Sequence, residues 1–205
     1  MKKINLLFTI TIWFFGSKAS AQITQMEMVS GITKTDFTYY AIKPLDNKKA
    51  FSVSTLTFFQ KYHNQEDTAF DELGVQINGF SNICKSIAIG PSLYHNSVAG
   101  FSERLSIQFS TNSDRFIITV IPSVAHMELT DNINGELFMQ IQFIQPIKEQ
   151  WNFAISSLIL THWDKFSKHA RSFQQVRIGL LYNSNQFGFA ADFDNMALSQ
   201  LKKPH

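Results

Sequence analysis

The sequence predicts an all-β fold: an antiparallel up-and-down β-barrel of about 8–10 strands, with a soluble β-sandwich or lipocalin-like barrel as the alternative. Three observations point there. Apolar and polar residues alternate with a period of two almost everywhere after residue 33, the pattern of strands whose two faces meet different surroundings. The connections are short and rich in Asn, Asp, Ser, Gly and Pro, which favour turn dihedrals and bond to their own backbone. No segment carries a 3.6-residue apolar stripe, so helices are not expected.

The elements follow in order. Thr33–Ile42 ends at the turn-forming PLDNKK. Phe51–Tyr62 sets Phe51, Val53 and Phe59 against Ser52, Ser54 and Gln60, then gives way to HNQEDTAFD. Glu72–Phe80 closes at SNICK, and Ser86–Tyr94 runs through Gly90-Pro91 to HNSVAG. Proline lacks a ladder donor, so Pro91 predicts a bulge, an edge or a strand end. Phe101–Ser110 opposes Leu105, Ile107 and Phe109 to Arg104, Ser106 and Gln108, and TNSD leads to Phe116–Glu128. Pro122 interrupts that run, predicting a shorter barrel or a Val124–Glu128 segment beyond the apolar band. After TDNING, Glu136–Ile144 sets Leu137, Met139, Ile141 and Phe143 against Glu136, Gln140 and Gln142. QPIKEQ introduces Trp151–Thr161, and DKFSKHA introduces Ser172–Tyr182, where Val176, Ile178 and Leu180 oppose Gln175, Arg177 and Gly179. NSNQ precedes the last run, Phe187–Phe193.

The N-terminus has a different character. Lys2 and Lys3, the apolar Ile4–Phe15 and the Ala19-Ser20-Ala21 site have the three-part layout of a secretory signal peptide. The expected organisation is a signal peptide at 1–21, a lead-in at 22–32, the barrel at 33–193 and a polar C-terminal tail at 194–205. Removing Lys2, Lys3 and Lys18 turns 18 basic and 16 acidic residues into 15 and 16. The formal +2 of the whole chain therefore belongs to the leader, and no nucleic-acid partner is expected. Cys84 is the single cysteine, so no intrachain disulfide holds the fold. No later apolar run reaches the roughly 20 residues of a spanning helix. Entry into a bilayer thus requires a closed barrel, since open strands leave backbone groups unpaired in lipid.

The polar faces indicate which way the apolar side points. Water-facing strands are usually dressed with Lys and Glu. Here such residues gather in the connections, as Lys48-Lys49, Glu66-Asp67 and Lys148-Glu149. The strands' polar side carries mostly Gln, Ser, Thr, Asn and Gly, with Asp36, Glu72, Arg104, Glu136, Arg177 and Asp192 as isolated charges. Confined charges need counter-charges, so these six are read as a lumen network. Aromatic residues fall at strand ends, among them Tyr62, Phe101, Phe116, Trp151, Trp163 and Tyr182, as interfacial girdles require.

On these features residues 33–193 resemble small outer-membrane β-barrel proteins of Gram-negative bacteria. The resemblance is one of pattern and points to no specific family. It implies membrane lipid as partner, an outer-membrane location and a structural, accessory or narrow-channel role without catalysis; a larger envelope assembly is a further partner it admits. The alternative is a periplasmic or secreted β-sandwich or lipid-binding protein. One departure stands out: the tail DNMALSQLKKPH follows the aromatic end of the last strand.

Candidate chemistry is sparse. His95 and Ser97, with Glu103 beyond, supply base, nucleophile and orienter types, similar to the His-x-Ser and later Glu of lipid A deacylases. An envelope lipid hydrolase is thus a second alternative, although HNS is also ordinary turn chemistry. His162, Asp164 and His169 lack a fourth partner for a zinc site, so no metal is expected. Neither a phosphate-cradling loop nor a dinucleotide fingerprint occurs, and no cofactor is expected.

Overall fold

The computed structural model describes residues 23–63, 71–183 and 185–196. They form a single antiparallel sheet of eleven strands whose spatial order is the chain order. The first six are β1 (Ile23–Ser30), β2 (Lys34–Pro44), β3 (Phe51–Tyr62), β4 (Glu72–Cys84), β5 (Ile87–Asn96) and β6 (Gly100–Asn112). Then come β7 (Phe116–Met127), β8 (Asn132–Lys148), β9 (Trp151–Asp164), β10 (Lys168–Tyr182) and β11 (Asn185–Met196). The sheet curls into a nearly closed up-and-down barrel, with no helix among the described residues.

Ten of the strands coincide with the ten runs read from the sequence, most of them longer by a few residues at one or both ends. The eleventh, β1, lies inside the segment read as lead-in. Its faces, Thr24/Met26/Met28 and Gln25/Glu27/Val29, contrast too weakly to show a period. Asp194, Asn195 and Met196 belong to β11 rather than to a tail. The expected signal peptide and residues 197–205 lie outside the described residues.

Neither proline ends its strand. The β5–β6 ladder runs through Gly90↔Ser106 and Pro91↔Leu105, while the β4–β5 ladder lapses between Asn78↔Ser92 and Ser81↔Ile89. Pro91 thus spends its missing donor on the side where pairing is absent. Pro122 does the same: it pairs with Leu137 in β8, and the β6–β7 ladder lapses between Ser106↔Ser123 and Phe109↔Val120. The barrel wall therefore continues to Met127. Gly90 is required by the same close approach, since a Cβ there would meet the Gly79 carbonyl oxygen at 1.7 Å.

The hairpins gather at two rims. One carries His63, His95, His126, His162 and His169; the other carries Lys48, Lys49, Lys85 and Lys148. These are the histidine rim and the lysine rim. Asp46 shapes a lysine-rim turn by accepting the Phe51 backbone N–H at 2.8 Å, a bond that holds its carboxyl below the usual range.

Burial is inverted relative to a water-soluble core. Among the described residues, glycine aside, eleven polar or charged ones are buried against six apolar ones, four of them alanine. Large apolar side chains instead stand exposed on the outer surface, as Ile77, Leu93, Leu105, Ile107, Ile141 and Leu180 do. The outward pairs Ile118↔Ile141 and Ile155↔Ile178 continue this apolar wall from strand to strand.

Replacing Gly90 with valine must push β4 and β5 apart. Gly90→Val should lower the temperature at which the folded form disappears on heating; an unchanged temperature would show that the approach of Gly79 to Gly90 does not constrain the wall.

Candidate functional site: an ionic belt inside the barrel

The alternation that sends Ile and Leu outward sends every second residue inward, and near the histidine rim those residues are charged. Arg104 of β6 lies 2.9 Å from Glu136 of β8, bridging over β7. The other oxygen of Glu136 accepts from His162 Nδ1 at 2.9 Å. The imidazole's tautomer follows from its neighbours. The Lys165 backbone N–H donates to Asn134 Oδ1 at 3.0 Å, which leaves Asn134 Nδ2 to donate to His162 Nε2 at 3.1 Å. Nδ1 is then the protonated nitrogen.

Arg104 also stacks on Tyr94, 4.1 Å from its ring centroid. Asn96 Nδ2 donates to the Tyr94 hydroxyl at 2.8 Å and to Glu72 Oε1 at 2.5 Å. Glu72 in turn receives Arg171 from β10 at 3.2 Å, and Arg171 Nε donates to Asp194 of β11 at 3.0 Å. A second cluster sits beside the first. Lys34 lies 2.7 Å from Asp36 and 3.0 Å from Asp192, and Arg177 joins Asp192 at 2.5 Å and Glu27 at 2.6 Å. Together they form a belt around the inner wall. The Arg171–Glu72 bridge joins β10 to β4 through the interior, so side chains occupy the bore at that level. Toward the lysine rim the inner wall becomes neutral, with Gln108 and Gln142 among the residues on that face.

All six charges read as a lumen network sit in this belt, each within an ion pair. Sequence reasoning missed Lys34, Arg171, Asp194 and Glu27. Lys34 shares its parity with Asp36 and was visible on that ground. Arg171 and Asp194 fell just outside the runs whose alternation was legible, and Glu27 lies in β1, where no period showed.

No protein-family model matches the chain, and neither a curated protein nor a solved structure matches it.

The remaining candidates disperse. His95 stands exposed on the outer face, whereas Ser97 Oγ accepts the Leu73 backbone N–H at 3.0 Å as a turn bond. Glu103 faces outward, 4.0 Å from His126, which also meets Asp131 at 3.0 Å. Among the described residues no hydrogen bond joins His95, Ser97 and Glu103, so base, nucleophile and orienter are not assembled. His162 points inward to Glu136 while His169 bonds Ser172 at 2.7 Å. Among the described residues no group of three or more His, Cys, Asp or Glu is placed to hold a metal ion.

Removing one partner of a buried pair leaves the other uncompensated, at about 3–5 kcal/mol. Arg104→Met should therefore lower unfolding stability by about 3 kcal/mol, toward the small end because His162 still donates to Glu136. Urea titration of the folded barrel measures this, and a loss below about 1 kcal/mol, the scale of a surface ion pair, would contradict it.

Proposed function

We propose that this protein is a non-enzymatic outer-membrane barrel, with its apolar outer surface on lipid and its ionic belt sealed inside. The observation that carries the reading is the inverted burial: Glu72, Asn78, Asn96, Ser102 and Glu136 are buried, while Ile77, Leu105, Ile141 and Leu180 are exposed. Water would reverse that distribution, because apolar surface leaves water at about 25 cal/mol per Å². Hydrocarbon accepts it, provided that the backbone is paired around a barrel.

Dimensions support the same reading. Each strand from β2 to β11 has at least ten residues, enough for a tilted crossing of the bilayer's apolar layer. Aromatic side chains mark both limits of the outer band. Phe116 meets Phe143 at 4.9 Å and Trp151 meets Tyr182 at 4.8 Å near the lysine rim. Phe37, Phe59, Phe101 and Trp163 share the outer face near the histidine rim. The eight steps from Phe101 to Phe109 on β6 cover roughly 27 Å of strand, or about 21 Å along the axis at a 40° tilt. The twelve steps from Trp151 to Trp163 on β9 cover roughly 41 Å, or about 31 Å along the axis. These values bracket the ~25 Å apolar band of outer-membrane barrels.

The role follows from the interior. Side-chain bridges across the bore disfavour a wide diffusion pore, and the dispersal of His95, Ser97 and Glu103 disfavours the hydrolase. A structural or accessory barrel is the reading that remains.

Ile141→Arg and Leu180→Arg each place a charge on the outer face, costing about 2–4 kcal/mol near the bilayer midplane. Both should sharply reduce the amount of protein recovered folded in the membrane fraction, while Lys85→Gln in a turn leaves it unchanged. Normal membrane assembly of Ile141→Arg would overturn the proposal.

A further inference from the structure

Each of the two outermost strands keeps one edge without a ladder among the described residues. We infer that these edges are each other's partners: the barrel closes through a parallel β1–β11 seam, latched from inside by Arg177–Glu27 and Lys34–Asp192. With an odd number of strands in an up-and-down order, the first and the last run the same way. Both β1 and β11 run from the lysine rim to the histidine rim, so a ladder between them is parallel.

The ion pairs place the edges side by side. Arg177 of β10 reaches Glu27 of β1 at 2.6 Å, over β11. Lys34 of β2 reaches Asp192 of β11 at 3.0 Å, over β1. Each pair skips one strand, as Arg104–Glu136 does over β7 where both ladders are present. Lys34 also sits 5.3 Å from the centroid of Phe173 on β10. Across the seam, as in the continuous wall, each interior ion pair thus joins strands two apart.

The pairs also indicate a register. Arg177 stands opposite Ala190, and Lys34 stands one step beyond the Ser30↔Thr35 pair. Bringing Gly31, which lies across from Lys34, to the level of Asp192 sets Met26 beside Phe187 and Met28 beside Phe189 on the outer face, with Glu27 two residues from the level of Arg177, the offset at which Arg104 reaches Glu136. These four are 67%, 74%, 70% and 84% exposed, against 39% for Ile141 and 40% for Ile178, which have strands on both sides. Seam closure covers that excess apolar surface and pairs two rows of backbone groups in one step. A parallel ladder is slightly less stable per residue than an antiparallel one, and the two half-buried ion pairs add to it at that position. The inference stands on the ion pairs and holds whatever surrounds the outer face.

The test uses the full chain with Cys84→Ser. Met28→Cys and Phe189→Cys are introduced together, the protein is oxidised in whichever cell fraction contains it, and it is run on a non-reducing gel. The expected result is a monomer of altered, reductant-sensitive mobility in most of the molecules, absent from either single variant. The pair Met26→Cys and Phe187→Cys repeats the test one rung away should the first pair disturb folding. Disulfide-linked dimers would overturn the inference by showing a second copy on the edge. Folded protein without any cross-link from either pair would also overturn it. Because the gel reads the fraction and the cross-link separately, recovery in the soluble fraction would count against the membrane reading and leave the seam result intact.

Discussion

A charge inside a barrel wall must find its counter-charge in the interior, because the wall gives it no other route out of a low-dielectric space. Much of this structure answers to that constraint. It is why Arg104 bridges two strands to Glu136, why Arg171 extends through the bore to Glu72, and why Lys34 sits between Asp36 and Asp192. Among the described residues the ladders join neighbours in chain order. The ion pairs are what join strands remote in sequence, and they fix the curvature that a flat eleven-stranded sheet would lack. Their contribution is specificity more than net stability, since apolar residues of similar volume often serve a core as well.

The belt is concentrated near the histidine rim and gives way to glutamines toward the lysine rim. This asymmetry makes the interior a plug at one end and a neutral lining at the other. At the level of the belt, side chains cross the bore. The outer face is organised independently: a band rich in Ile, Leu, Val and Phe between two aromatic levels, with Met26, Met28, Phe187 and Phe189 flanking the seam.

Most of the wall was legible in the sequence because alternation survives wherever one face is uniformly apolar. Leu105, Ile107 and Phe109 on β6, or Val176, Ile178 and Leu180 on β10, show the period without help. The period fails in β1, where methionines oppose glutamine, glutamate and valine, and that strand was missed. Pro91 and Pro122 looked like breaks because the sequence does not tell which neighbour a residue's N–H would face; in the structure each falls where a ladder already lapses. The lumen charges were legible one by one from their parity. Their partners were not, because pairing Arg171 with Glu72 depends on the curvature of the whole barrel.

On the proposed reading the apolar face is the outer one and meets lipid. The most direct measurement is to express the full chain, separate membranes from soluble protein, and run each on a denaturing gel with and without boiling. Recovery in the membranes with a heat-dependent shift in mobility is the predicted result. Recovery as soluble protein, with no difference between boiled and unboiled samples, would contradict it and turn Ile141 and Leu180 toward a core.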